Sequence, residues 1–561
     1  MKRTIKAFIL AGLVLSSLQM LNAQTLQWAK RMGGTSYDIG QSLTNDKHGN
    51  IFSTGYFYGT SDFDPGSSTL NITSSGGADG FVQKLDSTGS LVWVKSISGL
   101  EGAAPYSIAV DPSGNVLTAG RVSGKTDFDP GADSLMILST GLDDIFIQKL
   151  DAAGNLVWAR CLGGTDNDWA LSITSDSIGN VYTTGRFRGT VDFDPGPDSA
   201  KISSLGFEDV FILKLDAQGS LVWVKRIGGP ADEVANSIAV DKEGAVYVAG
   251  YFRNTVDFDP GPGENLVTAV GITDGFILKL SPSGDLEWVR AIQGSASEIC
   301  NAIQVDNTGN VFATGLFEGT ADFDGGVGVS TLESAGQYDV FVLKINSQGS
   351  LLWAKGFGGM EGDEGVSLSV DAFGNVFTTG YFYRTADFDP NQGTANLSAT
   401  GAESDIFVQK LDHMGNLVWA RRMGNSGEDV GRDIKSGPMG DLYTIGSFNG
   451  TADFDPGNGI VELSSAGNSD VFIQKLTDPI TSVSHAVSPD PFFVFPNPVS
   501  NEITIQGNSE WQSIQLTDAL GKDVGLNESK TTNLQLGHLA PGVYFLHING
   551  RNQKVVRIVK E

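Results

Sequence analysis

Asp62-Phe63-Asp64-Pro65-Gly66 is the stretch from which the fold can be read. Its Asp-Phe-Asp core returns at Asp127-Phe128-Asp129, Asp192-Phe193-Asp194, Asp257-Phe258-Asp259, Asp322-Phe323-Asp324, Asp387-Phe388-Asp389 and Asp453-Phe454-Asp455. Five steps are 65 residues long and the last is 66. So strict a period marks a repeat architecture, in which each unit buries its apolar faces against its neighbours.

Outward from that core, each repeat carries four β-type runs. In the second repeat they are Tyr106–Asp111 (strand A), Asn115–Val122 (B), Ile145–Leu150 (C) and Leu156–Leu162 (D). They are rich in β-branched and aromatic residues and bounded by Asp, Gly, Ser and Asn. Short Gly-containing turns, Asp111-Pro-Ser-Gly-Asn115 and Asp151-Ala-Ala-Gly-Asn155, join A to B and C to D. Four-stranded antiparallel units in series predict an all-β chain of propeller blades. Strand D has a Trp in each copy: Trp28, Trp93, Trp158, Trp223, Trp288, Trp353 and Trp419. The first D run, Leu26–Met32, precedes every C run, and the last C run, Val471–Leu476, has no D after it. This offset predicts a seven-bladed β-propeller closed by the N-terminal strand, which leaves no blade unpaired.

Three further rows repeat seven times. Gly55, Gly120, Gly185, Gly250, Gly315, Gly380 and Gly446 sit inside strand B, where glycine signals a bulge or a close backbone approach. Lys84, Lys149, Lys214, Lys279, Lys344, Lys410 and Lys475 lie on strand C; a second basic row follows the Trp of strand D. Both basic rows are expected at solvated strand edges, where charge discourages sheet-to-sheet pairing.

A formal charge of -28 excludes nucleic acid as a partner, since that needs a basic footprint, and is compatible with cations or basic partners. Cys161 and Cys300 make no disulfide framework, and the five histidines have no metal-ligand spacing. Residues 1–23 read as a secretory signal: Lys2, Arg3 and Lys6 precede an apolar run too short to span a membrane. Its removal takes the formal charge to -31. No later stretch is long and apolar enough for a transmembrane helix, so an exported monomer is expected. The repeats fill 24–477, a Ser/Pro-rich linker 478–491, and a small β-sandwich 492–561 with strands at 503–506, 513–516, 534–536, 543–548 and 554–559.

Two resemblances follow. Motifs such as Ser107-Ile-Ala-Val-Asp-Pro-Ser-Gly-Asn-Val-Leu-Thr-Ala-Gly120 resemble the SBBP-type β-propeller repeat of bacterial secreted proteins, over about 450 residues. Propellers host many activities, so this speaks to fold rather than function. The last 70 or so residues resemble the type A sorting domain of the type IX secretion system of Bacteroidetes. The residues that carry this are Phe495-Pro496-Asn497-Pro498 (commonly Tyr at the first place), Leu516–Gly521, Leu539-Ala-Pro-Gly542-Val-Tyr544 and Lys554–Lys560. The resemblance implies export across the outer membrane, recognition by the type IX machinery, and a secreted or cell-surface location.

The B-to-C connector holds the Asp-Phe-Asp pair and ends on a third acid: Asp79, Asp144, Asp209, Asp274, Asp339, Asp405 or Asp470. The D-to-A loop adds Asp38, Asp168, Glu233, Glu298, Asp363 or Asp429, with Ala103 in the odd copy. All 27 carboxylates are expected on one face. In one reading each Asp caps a turn and Phe63 plugs its blade. In the other, Asp62, Asp64 and Asp79 hold Ca²⁺, as do their equivalents Asp127, Asp129 and Asp144; Asp192, Asp194 and Asp209; Asp257, Asp259 and Asp274; Asp322, Asp324 and Asp339; Asp387, Asp389 and Asp405; Asp453, Asp455 and Asp470. Gly66 stands where an EF-hand loop would place a further ligand. Acids repeated seven times make no unique active site, and no nucleophile elbow, phosphate loop or zinc motif is present. A non-enzymatic module that binds a protein or glycan is the expectation; a glycan-active enzyme using the acidic face is the alternative. Tyr37, Tyr106 and Trp169 break the repeat near that face as candidate stacking residues.

Overall fold

The computed structural model describes residues 24–478 apart from 132, 438, 439 and 458, together with 492–495, 501–507, 511–518, 522, 524, 533–550 and 554–560. The expected signal segment, all but the first residue of the expected linker, and Pro496, Asn497 and Pro498 lie outside the described residues. The chain divides into two compact units, Met1–Ile480 and Thr481–Glu561. Among the described residues the regular elements are strands and their pairings are antiparallel.

The larger unit contains seven four-stranded meanders. The first runs Asp38–Asn45, Ile51–Phe57, Asp79–Leu85 and Leu91–Gly99, paired in that order. The last takes three strands from the end of the repeats, Val430–Ser436, Asp441–Phe448 and Asp470–Thr477, and its fourth, Thr25–Gly34, from their beginning. In that seam Lys30 opposes Ile473 and Met32 opposes Val471.

The strands are apolar on both sides because both sides are covered. Seven hydrophobic clusters each join side chains from two successive repeats. Ile147 and Leu162 meet Ile173 and Phe211 in one; Tyr443 and Ile445 of the last repeat meet Leu43 and Phe81 of the first in another. Each strand A touches the next, and Val430–Ser436 touches Asp38–Asn45. The seven A strands line one cavity of about 390 Å³.

The glycine row has a specific cause. Strand A bulges opposite it, between Gly40 and Ser42 in the first repeat, and turns a carbonyl onto the glycine. A Cβ on Gly55 would lie 1.9 Å from the Ile39 carbonyl oxygen, and one on Gly315 1.8 Å from that of Ile299. The Trp row links repeats: Trp93 Nε1 donates to the Ala152 carbonyl, Trp158 to Ala217 and Trp223 to Pro282, each at 3.2 Å. Trp419 donates instead to Asp478 Oδ1 at 3.0 Å.

The lysine row of strand C departs from expectation. Strand C is interior to its sheet, and Lys84, Lys214 and Lys344 lie over the rings of Phe52, Tyr182 and Phe312 at 4.9–5.0 Å. Lys149 and Lys410 are buried and pair with Asp111 and Asp478. An aromatic ring on strand B or a nearby carboxylate draws these cations inward.

Strand A carries a belt of hydrogen bonds between repeats. Ser107, Ser172 and Ser237 Oγ accept the amides of Ile173, Ile238 and Ile303, each at 3.2 Å. In the last repeat Asp433 stands in the serine's place. It accepts Ser42 Oγ at 2.8 Å, the Leu43 amide at 3.0 Å and Ser367 Oγ at 2.7 Å.

The C-terminal unit has two three-stranded sheets, Phe492–Phe495, Glu502–Gly507 and Asn533–Gln535, and Trp511–Asp518, Gly542–Gly550 and Lys554–Lys560. Ile503, Ile514, Leu534, Leu546 and Ile558 share one core between them. The strand Phe492–Phe495 is absent from the sequence reading, because a run of four residues between the Pro-rich linker and Pro496 is too short to show an alternating pattern.

Candidate functional site

The Asp-Phe-Asp core lies at the tip of a second hairpin that extends strands B and C. In the first repeat Thr60–Asp62 pairs with Asn71–Thr73; in the second, strands B and C run on continuously as Val116–Asp127 and Met136–Leu150. Asp62 Oδ1 accepts two amides, Asp64 at 3.0 Å and Leu70 at 2.8 Å, and so ties both arms of the tip. The same pair of bonds recurs in all seven repeats, as at Asp192, where the amides are Asp194 and Ala200. Asp64 Oδ1 accepts the Gly66 amide at 2.8 Å. Phe63 is buried between Phe57 and Phe81, ring centroids 5.1 Å from each.

The third acid of each loop goes elsewhere. Asp79 and its six equivalents are buried, as are Asp38, Asp168, Glu233, Glu298, Asp363 and Asp429. Thirteen of the carboxylates expected on a face are therefore inside, where one repeat meets the next. At two junctions the acids meet across a glycine at the end of strand D. A Cβ on Gly358 would lie 2.5 Å from Asp339 and 2.9 Å from Asp363; one on Gly424 would lie within 2.9 Å of both Asp405 and Asp429. Asp168 accepts the amides of Gly164 and Arg188, Asp144 that of Thr140, and five of the pairs keep, on the strand C acid, a buried carboxyl oxygen with no hydrogen-bond partner among the described residues, such as Asp144 Oδ1.

Burial, and then the neighbouring acid, push these carboxyls up: Asp168, Asp363 and Asp429 to about 7, Glu233 and Glu298 to about 8. Asp339 is raised to about 6 by burial alone, and Asp470, also at about 6, owes its shift to burial first. Amide donors crowd Asp62 and Asp64, while Asp79 faces a repeat junction. The three acids named for calcium thus do not converge, and among the described residues no group of three or more His, Cys, Asp or Glu is placed to hold a metal ion.

Residues that break the repeat cluster on strands of the second and third repeats, beside the central cavity that Tyr106 lines. Arg121 donates Nε to Tyr106 Oη and Nη1 to Asp143 Oδ2, both at 2.7 Å. Trp169 Nε1 reaches the same Asp143 oxygen at 3.0 Å. Arg186 lies 3.9 Å from the centre of the Trp169 ring and binds Glu208 Oε2 at 2.6 Å. Burial pushes the Tyr106 hydroxyl up. Between the last two repeats, a second cavity of about 330 Å³ is lined by Glu364, Tyr381, Tyr383, Glu428 and Arg432 among others. Tyr106 and Trp169 thus come together, ring centroids 6.1 Å apart; Tyr37 is exposed and pairs instead with Ser469 beside the seam. The sequence reading missed Arg121, Asp143, Arg186, Glu208, Glu364 and Arg432. Position-by-position comparison of the repeats signals them: where strand A carries Glu364, the others have Ile39, Ala104, Trp169, Val234, Ile299 and Val430.

In the C-terminal unit, Phe495 closes its short strand, Gly542 opens another and Lys560 ends the last. Tyr544 is buried and its hydroxyl donates to the Ala540 carbonyl at 2.9 Å, bracing the turn before it.

Residues 493–561 match the family "Secretion system C-terminal sorting domain", and residues 222–251 match the family "Beta-propeller repeat". The chain thus carries a propeller-type repeat and the sorting domain that marks proteins exported by type IX secretion to the cell surface or beyond. Among curated proteins it is 22% identical to an uncharacterized WD repeat-containing protein of Acanthamoeba polyphaga mimivirus, over 75% of this chain and 36% of that one. It is 27% identical to the regulatory protein FlaEY of Caulobacter vibrioides, over 67% of this chain and 45% of that one. It thus spans less than half the length of either. Among solved structures, PorZ, a surface component of the type IX secretion system of Porphyromonas gingivalis, aligns over 94% of this chain and 99% of its own at 11% identity, with a TM-score of 0.24.

Proposed function

We propose that residues 24–477 form a seven-bladed β-propeller closed by the N-terminal strand, acting as a non-enzymatic binding module outside the cell. A signal peptide at 1–23 would start its export. A linker at 478–491 would carry the sorting domain at 492–561, which engages the type IX machinery. Seam pairing of Thr25–Gly34 with Asp470–Thr477, and a core shared by the last and first repeats, support closure.

The observation that carries the binding reading is where the repeats diverge. Acids and aromatics common to all seven copies serve turns and junctions. The non-repeated aromatics and guanidinium groups, Tyr106, Arg121, Trp169 and Arg186, gather in one cluster, and Tyr106 lines the central cavity. Such a constellation of flat rings and fixed polar groups suits a ligand. The test is retention of the mature protein on immobilised glycans and peptides, with Trp169→Ala alongside. Loss of retention in the variant is expected; equal retention would move the site elsewhere.

The glycan-active enzyme reading has one observation in its favour: Glu364 and Glu428 line the same non-repeated cavity. Release of products from a glycan panel, abolished in Glu364→Gln, would establish it. For calcium, the turn hydrogen bonds account for Asp62 and Asp64 without an ion. An unchanged melting midpoint of the mature protein between calcium and chelator would remove that reading.

A further inference from the structure

The cavity beside Tyr381 differs from everything the repeat produces. Asn301, Glu364, Tyr381, Tyr383, Glu428 and Arg432 line it, and it opens beside the central cavity, with which it shares Asn301 and Arg432. Glu364 is fixed at both oxygens: Asn301 Nδ2 donates to Oε1 at 2.8 Å and Tyr381 Oη to Oε2 at 2.5 Å. The Tyr381 and Tyr383 rings stand edge to face, centroids 5.9 Å apart at 87°. Arg432 Nε is buried and has no hydrogen-bond partner among the described residues. Arg432 lines both cavities, so its guanidinium is the cation that an acceptor entering them would meet.

The charges decide what that acceptor is. Two carboxylates stand against one guanidinium, so an anionic ligand would meet net repulsion. A hydroxyl group fits both, since it accepts from Arg432 and donates to a carboxylate; Glu364 retains lone pairs beyond those its partners occupy. The tyrosine rings add flat apolar walls, and the volume is that of a small-ligand pocket. We propose that this cavity is a subsite for an uncharged saccharide ring, held by Arg432 and Glu364 through its hydroxyls and bounded by Tyr381 and Tyr383. This rests on the reading of the non-repeated residues around the central cavity as a binding site.

The test is isothermal titration of the mature protein with gluco-, galacto-, manno- and xylo-oligosaccharides, and with oligouronates of matched length. At least one neutral oligosaccharide is expected to bind, and the oligouronates at least ten-fold more weakly. Arg432→Leu and Tyr383→Ala should each lower affinity ten-fold or more at an unchanged melting midpoint. If Arg432→Leu does not fold, Arg432→Lys, which keeps charge but not the guanidinium fork, should lose at least three-fold. Equal binding by the folded variants, or binding of oligouronates in preference, overturns the saccharide subsite. Retention of immobilised peptides without any saccharide overturns it too while leaving the binding-module reading intact. Failure to retain any probe sinks both.

Discussion

Phe193 sits between Phe187 and Phe211, 5.3 Å from each ring centre, and is fully buried. Its neighbour Asp194 is half-buried and accepts one amide, that of Gly196. The two should separate cleanly on mutation. Phe193→Ala is expected to cost about 3–5 kcal/mol, as large-to-small core changes do, and Asp194→Ala about 1 kcal/mol; urea unfolding of each variant measures the difference. The turn role of the Asp-Phe-Asp core was legible because its partners are near in sequence: the second amide held by Asp192 is only eight residues on. The role of Asp144 was not, because the acid it faces, Asp168, belongs to the following repeat.

Elements meet through two devices with opposite responses to pH. The junction acids are raised: Asp168 titrates at about 7 and Glu233 at about 8 in the folded chain, against ordinary values near 4 in the unfolded one. The folded state therefore binds more protons, and the junctions are strongest when protonated. Their contribution is lost as pH rises from about 4 through about 8. The turn acids run the other way. Hydrogen bonds hold Asp86, Asp151 and Asp306 below the usual range, so their contribution is lost as pH falls below about 4. The melting midpoint should be higher at pH 5 than at pH 8.5, and Asp168→Asn should flatten part of that slope. A midpoint rising from pH 5 to 8.5 would contradict the paired-acid junction. The tryptophan links to backbone carbonyls are independent of pH. Trp158→Phe keeps the ring, gives up the bond to the Ala217 carbonyl, and should cost about 1 kcal/mol in urea unfolding. Strand order and repeat number were readable from periodicity, since both depend on local alternation. Of the non-repeated cluster, Tyr106 and Trp169 were readable as breaks in the repeat; Arg121 and Asp143 were not, because they reach them from separate strands.

On the scale of the whole molecule, Asp433 is where the serine belt changes character. It binds Ser367 on one side and Ser42 and Leu43 on the other, with Lys435 Nζ at 3.0 Å. Asp433→Ala leaves those hydroxyls without their acceptor and should cost about 1–3 kcal/mol, whereas Ser107→Ala, which removes one neutral acceptor, should cost less. Guanidinium unfolding of both variants compares them. The seam between Thr25–Gly34 and Asp470–Thr477 carries a different kind of debt. It joins segments more than four hundred residues apart, and closing a flexible loop of that length costs about 5 kcal/mol of chain entropy beyond a constant. The seam pairs, the core shared by the last and first repeats and the bonds of Asp433 to Ser42 and Leu43 together offset it. Covalent closure removes the debt from the unfolded side. Thr25→Cys with Thr477→Cys, opposed in register at the strand ends, should raise stability by about 2–4 kcal/mol when oxidised and return it to the parent value on reduction.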